Sequence, residues 1–217
     1  MLGIVMLDTV FPRPPGDIGN PATFPFPTRL HKVSRASPQK VIFERASGMV
    51  DDFVQAARAL ESEGCKAIVT SCGFLALHQQ TIAAAVQVPF ASSSLCWLPT
   101  LYLAFGGARH VGILTASSAS LGPAHLAALG GSMDSPIAGM PVDSEFARVI
   151  VGNQPQGDMQ RIHAEMLALA DELVATQPQV RAILLECTNM PPVAPAIAQR
   201  TGRPVFDLVG LARQLMA

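Results

Sequence analysis

Two short segments of this chain superimpose on one another with a shift of 115 residues: Val69-Thr-Ser-Cys-Gly-Phe74 and Leu184-Leu-Glu-Cys-Thr-Asn189. Under that shift Ile68 falls on Ile183, Leu60 on Ala175, and Ile82 and Ala83 on Ile197 and Ala198. Pro89 stands 17 residues after Cys72, and Pro204 stands 17 residues after Cys187. The order helix, strand, cysteine, helix, proline-led strand is thus written twice. The opening Gly3-Ile4-Val5 likewise resembles Gly112-Ile113-Leu114. Such a repeat predicts two similar lobes, residues 1–105 and 106–217, and leaves open an exchange of terminal elements between them.

Within each lobe, short apolar runs alternate with helical periodicity. "LGIVML", "KAIVTS", "HVGILTAS" and "RAILLE" read as buried strands, and the apolar positions Met49, Val50, Phe53, Ala57 and Leu60 recur at helical spacing before Gly64. The stretch "FLALHQQTIAAAV" reads as the helix after the first cysteine, and "PVFDLV" as the last strand. Alternation of this kind predicts an α/β fold, each lobe a parallel sheet flanked by helices. Residues 11–27 break the pattern. They are too rich in proline and glycine for a helix or a central strand, which predicts a loop that covers a binding cleft and supplies apolar contacts. The stretch "FPFP" and Phe74 point to an apolar part of that cleft, and Arg13 and Arg29 flank the loop.

Both repeated cysteines lie at the carboxyl tip of a predicted strand, where open parallel sheets bind their ligands. A helix N-terminus following such a tip offers N–H groups and partial positive charge, which favours an anion and draws a thiol pKa toward neutrality. Cys72 and Cys187 facing one another across a cleft can exchange protons on opposite sides of one carbon. Asp8 and Thr9 follow the first strand and border the same cleft. Cys65 and Cys96 read as packed thiols, and His78, His125 and His163 as residues on helix faces.

Composition narrows the function classes. Hydrophobic residues make up 49% of the 217 and charged ones 14%, so most of the chain is packed. The net charge is −1 with scattered basic residues, which excludes the basic stripe of a nucleic-acid binder. No apolar run reaches the length of a membrane span, and the N-terminus lacks the cationic lead of a signal peptide, so the expectation is a cytoplasmic protein with free thiols. No glycine-rich phosphate motif follows a strand. Lys32, Lys40 and Lys66 stand away from the strand tips, and the histidines and cysteines form no metal-ligand pattern. No cofactor is expected.

The segments "VTSCGF", "LLECTNM" and "VGILTAS", with the loop "PPGDIGNPATFPFP", resemble the aspartate/glutamate racemase superfamily over nearly the whole chain. That superfamily includes hydantoin racemases, arylmalonate decarboxylases and maleate isomerases. The resemblance implies two pseudo-twofold-related flavodoxin-like lobes with the site in the cleft between them, catalysis without a cofactor, a small carboxylate as substrate, and a homodimer. Cys72 and Cys187 would be the acid/base pair. Ser71, Gly73, Phe74, Ser117, Thr188 and Asn189 would hold the carboxylate, with Thr115 shaping the site. Many members continue the first cysteine with Asn-Thr, where this chain has Gly73-Phe74. Glutamate racemases follow the second with Thr-His, where it has Thr188-Asn189. Arylmalonate decarboxylases keep only the second cysteine. The expectation is therefore a racemase or epimerase inverting a carbon next to a carboxylate or hydantoin-type carbonyl. The alternatives are a maleate-type cis–trans isomerase, an arylmalonate-type decarboxylase using one cysteine, and a non-catalytic carboxylate sensor.

Overall fold

The 115-residue shift reappears as strand register. In the computed structural model, which describes residues 1–217, strands β1 (Leu2–Met6), β2 (Thr28–Lys32), β3 (Ala67–Thr70) and β4 (Phe90–Ala91) form one parallel sheet in the order β2-β1-β3-β4. Strands β5 (Val111–Thr115), β6 (Ile137–Gly139), β7 (Ala182–Leu185) and β8 (Val205–Phe206) form a second in the order β6-β5-β7-β8. Ile68 pairs with Phe90 in the first sheet and Ile183 with Val205 in the second. Gly3 pairs with Ile68, and Gly112 with Ile183. The two proline-led strands begin alike: Ile68 N–H donates to the Pro89 carbonyl at 2.8 Å and Ile183 N–H to that of Pro204 at 3.0 Å.

Strands β1, β3, β5 and β7 are buried along their whole length, as central strands covered on both faces must be. Their covering helices are α1 (Pro38–Ile42), α2 (Val50–Ser62), α3 (Gln79–Ala83), α4 (Leu98–Phe105), α5 (Pro123–Ala127), α6 (Met159–Thr176), α7 (Ala194–Thr201) and α8 (Leu208–Leu215). α2 forms where the sequence places Phe53, Ala56, Ala57 and Leu60 on one buried stripe. Asp51 and Asp52 in its first turn complement the helix dipole. The Asp158 side chain accepts from Arg161 N–H and starts α6.

The lobes exchange helices. α4 follows the first sheet but packs on β5 of the second, while α8, at the chain's end, packs on β3 of the first. Leu208, Val209 and Ala212 join Leu2, Ile4, Met6, Ile18, Phe24 and Ala67 in one apolar cluster. Burying side chains such as Leu208 and Val209 contributes about 1.5–3 kcal/mol each, so the exchange fixes the lobes against one another. None of the helices is long and apolar enough to cross a membrane.

Local departures from the sequence reading have local causes. The residues after Cys72 begin as a 3₁₀ helix, Gly73–His78, before α3. Cys187 leads into a turn and then a 3₁₀ segment, Pro191–Val193, before α7. The last strand stops at Phe206 because the Asp207 side chain accepts from Gly210 N–H at 2.6 Å and starts α8. Phe24 stacks on Phe26 and is buried under the first sheet, so the two phenylalanines of "FPFP" pack on the core and do not line the cleft. Helix α1 and a π-helical turn, Ala147–Val151, have no counterpart in the sequence reading.

Candidate active site

The tips of β3 and β7 meet at a narrow pocket of about 380 Å³, counting its mouth. Cys72 and Cys187 both line it and are equally buried, each 8% exposed. Their surroundings repeat the pseudo-symmetry of the lobes: the backbone N–H of Phe74 favours the thiolate of Cys72, and that of Asn189 the thiolate of Cys187. In each case the donor lies two residues downstream.

Burial decides the protonation of both groups. It pushes the Cys72 thiol up to about 12, with the nearby Glu186 carboxylate adding to the rise and the Phe74 N–H opposing it. Cys187 is raised well above the ordinary thiol value by burial first and Glu186 second, with the Cys72 and Asp17 charges adding to it. The strand-tip N–H groups thus fail to draw these thiols toward neutrality, contrary to expectation, because desolvation in the closed pocket outweighs them. Both cysteines rest as thiols.

Glu186 immediately precedes Cys187 and is wholly buried. One of its oxygens, Oε2, accepts from the Thr115 hydroxyl at 2.7 Å, while Oε1 has no partner. No cation of the chain pairs with it, and burial raises its pKa to about 7, against the lowering effect of the Thr115 bond. Gly73 makes room for it. A Cβ at position 73 would lie 2.2 Å from Oε1 and 2.4 Å from the Glu186 carbonyl oxygen.

The proline-rich loop is tied down over this pocket. Arg13 Nη1 donates to Asp17 Oδ1 at 2.7 Å, and Nη2 to the Thr9 hydroxyl at 2.9 Å. Its guanidinium lies 4.4 Å from the centre of the Phe11 ring. Asn189 Nδ2 donates to Asp17 Oδ2 at 2.7 Å, which turns Asn189 Oδ1 toward the Cys187 thiol at 3.6 Å. Phe11 and Arg13 line the pocket, so the loop contributes both an apolar wall and the one cationic side chain there.

Of the residues singled out in the sequence, Thr9, Ser71, Cys72, Gly73, Phe74, Cys187, Thr188 and Asn189 line this one pocket. Three lie elsewhere. Asp8 turns outward to an ion pair with Lys32 at 3.2 Å. Thr115 sits behind Glu186 as its hydrogen-bond donor, and the Ser117 hydroxyl donates to Ser120 at 3.0 Å, with Ala116 lining the pocket in its place. Among the carboxylate-binding candidates, the Thr188 hydroxyl is engaged with the Ser71 carbonyl at 2.7 Å and the Ser71 hydroxyl accepts from Leu7 N–H at 2.9 Å. His125 is buried, with its ring edge-on to Phe74, centroids 5.4 Å apart, so it backs the pocket wall. Sequence reasoning missed Glu186, Pro38 and Ile42 of α1, and Ile150 and Val151 of the π-helical turn. For Glu186 the signal existed: a charged residue closing the otherwise apolar strand of "LLECT".

The chain is similar in sequence and in fold to known proteins. The pattern of the Asp/Glu/hydantoin racemase family matches residues 44–216. A dimethylsulfoniopropionate lyase from Durusdinium sp. clade D is 30% identical over 96% of this chain, which spans 71% of that protein. Dimethylsulfoniopropionate lyase 7 from Emiliania huxleyi (strain CCMP1516) is 29% identical over 100% of this chain, which spans 66% of that protein's length. Among solved structures, a sulfate-associated mutant of arylmalonate decarboxylase aligns over 99% of this chain and 92% of its own, with a TM-score of 0.65 at 19% identity. That likeness concerns the fold.

Proposed function

Because the chain belongs to the Asp/Glu/hydantoin racemase family, we propose that it is a cofactor-independent enzyme that removes a proton from the carbon next to a carboxylate. One observation carries this reading: two buried thiols at equivalent strand tips line a single pocket, each with a backbone N–H two residues on that favours its thiolate. An N–H directed at sulfur stabilises the thiolate form when the base is needed. A positive charge on an entering substrate lowers the thiol pKa further, by direct attraction. Proton removal by a positioned group is typically worth about 10²–10⁴-fold in rate.

The substrate decides the fate of the electron pair left on carbon. Where the neighbouring carbon carries a sulfonium, the C–H electron pair becomes the new double bond and the C–S bond breaks. The sulfur departs as a neutral dialkyl sulfide, and the proton stays on the cysteine. With dimethylsulfoniopropionate the products are acrylate and dimethyl sulfide. The names of the relatives that match nearly the whole chain support this lyase outcome as the first to test. Inversion, the outcome expected from the sequence, is the second reading, and the equivalence of the two thiols favours it: without a leaving group, the opposite thiol returns a proton to the other face.

The test is proton NMR of the protein with dimethylsulfoniopropionate in heavy water, and separately with each enantiomer of a panel of amino acids. Acrylate formation that falls by about 10²-fold or more in Cys72→Ser or Cys187→Ser supports elimination. Deuterium entering the α position with inversion, lost in either variant, supports racemisation. A protein that catalyses neither exchange nor elimination refutes the proposal.

A further inference from the structure

Taking the pocket as the substrate site, we infer that Glu186 is a specificity-determining residue that receives a positive charge on the substrate, so the enzyme selects zwitterionic carboxylic acids over neutral-tailed ones. The inference rests on the proposed proton-abstracting function and narrows its substrate class to betaine-like or amino-acid-like molecules.

The geometry is that of an unfinished ion pair. Glu186 lines the pocket, is 0% exposed, and satisfies only one oxygen, through Thr115; Oε1 is left without a donor. The charged and titratable groups around it are few. Cys72 and Cys187 are thiols, and Arg13 is committed to Asp17, Thr9 and the Phe11 ring. A buried carboxylate without a partner is costly when ionised, and an entering cation removes that cost.

The chain also spends a position to keep this group in place. With Gly73 Cα against Oε1, the carboxylate fills the volume into which any side chain at 73 would project. The carboxylate in that volume is brought in from the other lobe. The pocket thereby acquires two unlike sides: Arg13, 12% exposed at its side chain, on the loop, and Glu186 fully enclosed below. Phe11 and Phe74 add aromatic lining to the same pocket.

The experiment compares two acids of one shape, 3-(trimethylammonio)propanoate and 4,4-dimethylpentanoate, which differ only in the charge of the quaternary centre. Calorimetric titration at pH 8 should give the wild type at least a roughly tenfold preference for the cationic acid, as a buried charge left unpaired by the neutral one requires. Glu186→Gln should lose the preference and bind the neutral acid about as well as wild type does. Glu186→Asp keeps the charge and should keep the preference at weaker affinity, which guards against a misfolded glutamine variant. The inference fails if wild type binds the two acids equally, if it binds neither, or if Glu186→Gln still prefers the cation. Turnover is a separate readout: charge preference without elimination or exchange sinks the catalytic reading alone, and turnover indifferent to charge sinks this inference alone.

Discussion

Asn189 and Asp17, 172 positions apart in sequence, share a 2.7 Å hydrogen bond that joins the proline-rich loop to the turn carrying Cys187. Asp17 is 1% exposed, and its other oxygen takes both Arg13 and Gly19 N–H. The loop is therefore held by one carboxylate with three donors, and the orientation of the Asn189 amide over the Cys187 thiol depends on it.

Asp17→Ala should release that loop. Removing one partner of a buried pair costs about 3–5 kcal/mol, and here it also strands Arg13. The expected result is a lower midpoint in denaturant together with new protease cleavage within residues 12–20. A variant as stable and as protease-resistant as wild type would show that the loop is held by its apolar contacts alone.

Gly73→Ala tests the contact between the lobes from the other side. The added methyl would meet both the carboxylate and the carbonyl oxygen of Glu186, so the tip of β7 must move. Overpacking of this kind costs about 1–3 kcal/mol in stability. Displacing Cys187 relative to Cys72 should cost activity more than that: a misplacement near 1 Å is enough for about 10²-fold. Stability from denaturant titration and kcat/KM measured on the same preparation separate the two effects. An unchanged kcat/KM in a destabilised variant would mean that the thiols need no fixed spacing.

The parts of this fold that were legible in the sequence are those written twice. The matching registers of Ile68 with Phe90 and Ile183 with Val205 follow from the shared spacing of cysteine and proline. Cys72 and Cys187, which follow from that repeat, line one cavity with Ser71, Gly73, Phe74, Thr188 and Asn189, which the family resemblance implied. What the sequence hid depends on three-dimensional pairing. Asp8 stands at a strand end and so reads as a cleft residue, but Lys32 on the neighbouring strand draws it outward. Glu186 breaks the repeat, since its twin position holds Ser71, and only the close approach to Gly73 reveals why. α1, at five residues, is too short to leave a periodic signal, yet its Ile42 reaches the pocket.

The raised thiols predict slow alkylation. With Cys72 near 12 and Cys187 also raised by burial and Glu186, both should be overwhelmingly protonated at pH 8, and iodoacetamide should modify them far more slowly than a free cysteine. Mass spectrometry of peptides after timed labelling reads each site. Addition of a cationic substrate analogue that leaves the mouth open should accelerate labelling, because a nearby positive charge favours the thiolate. Rapid modification of either cysteine in the free protein at pH 8 would overturn the assignment of resting thiols.

Glu186 also makes stability depend on pH, and the sign follows from its raised pKa. Folded, it titrates near 7; unfolded, it returns to an ordinary carboxylate at about 4.3. The folded chain therefore binds a proton more tightly than the unfolded one. The corresponding stability is fully present below about pH 4.3 and is lost progressively as pH rises through about 7. Its size is on the order of 3 kcal/mol, since each unit of difference is worth about 1.4. Wild type should accordingly lose stability in denaturant titrations between pH 5 and pH 8, beyond what other groups cause. Glu186→Gln, which is neutral at every pH, should show a flatter profile over the same window and should equal or exceed wild type at pH 8. Parallel profiles for the two proteins would mean that Glu186 is ionised and compensated in the free enzyme, leaving no unpaired charge for a substrate to meet.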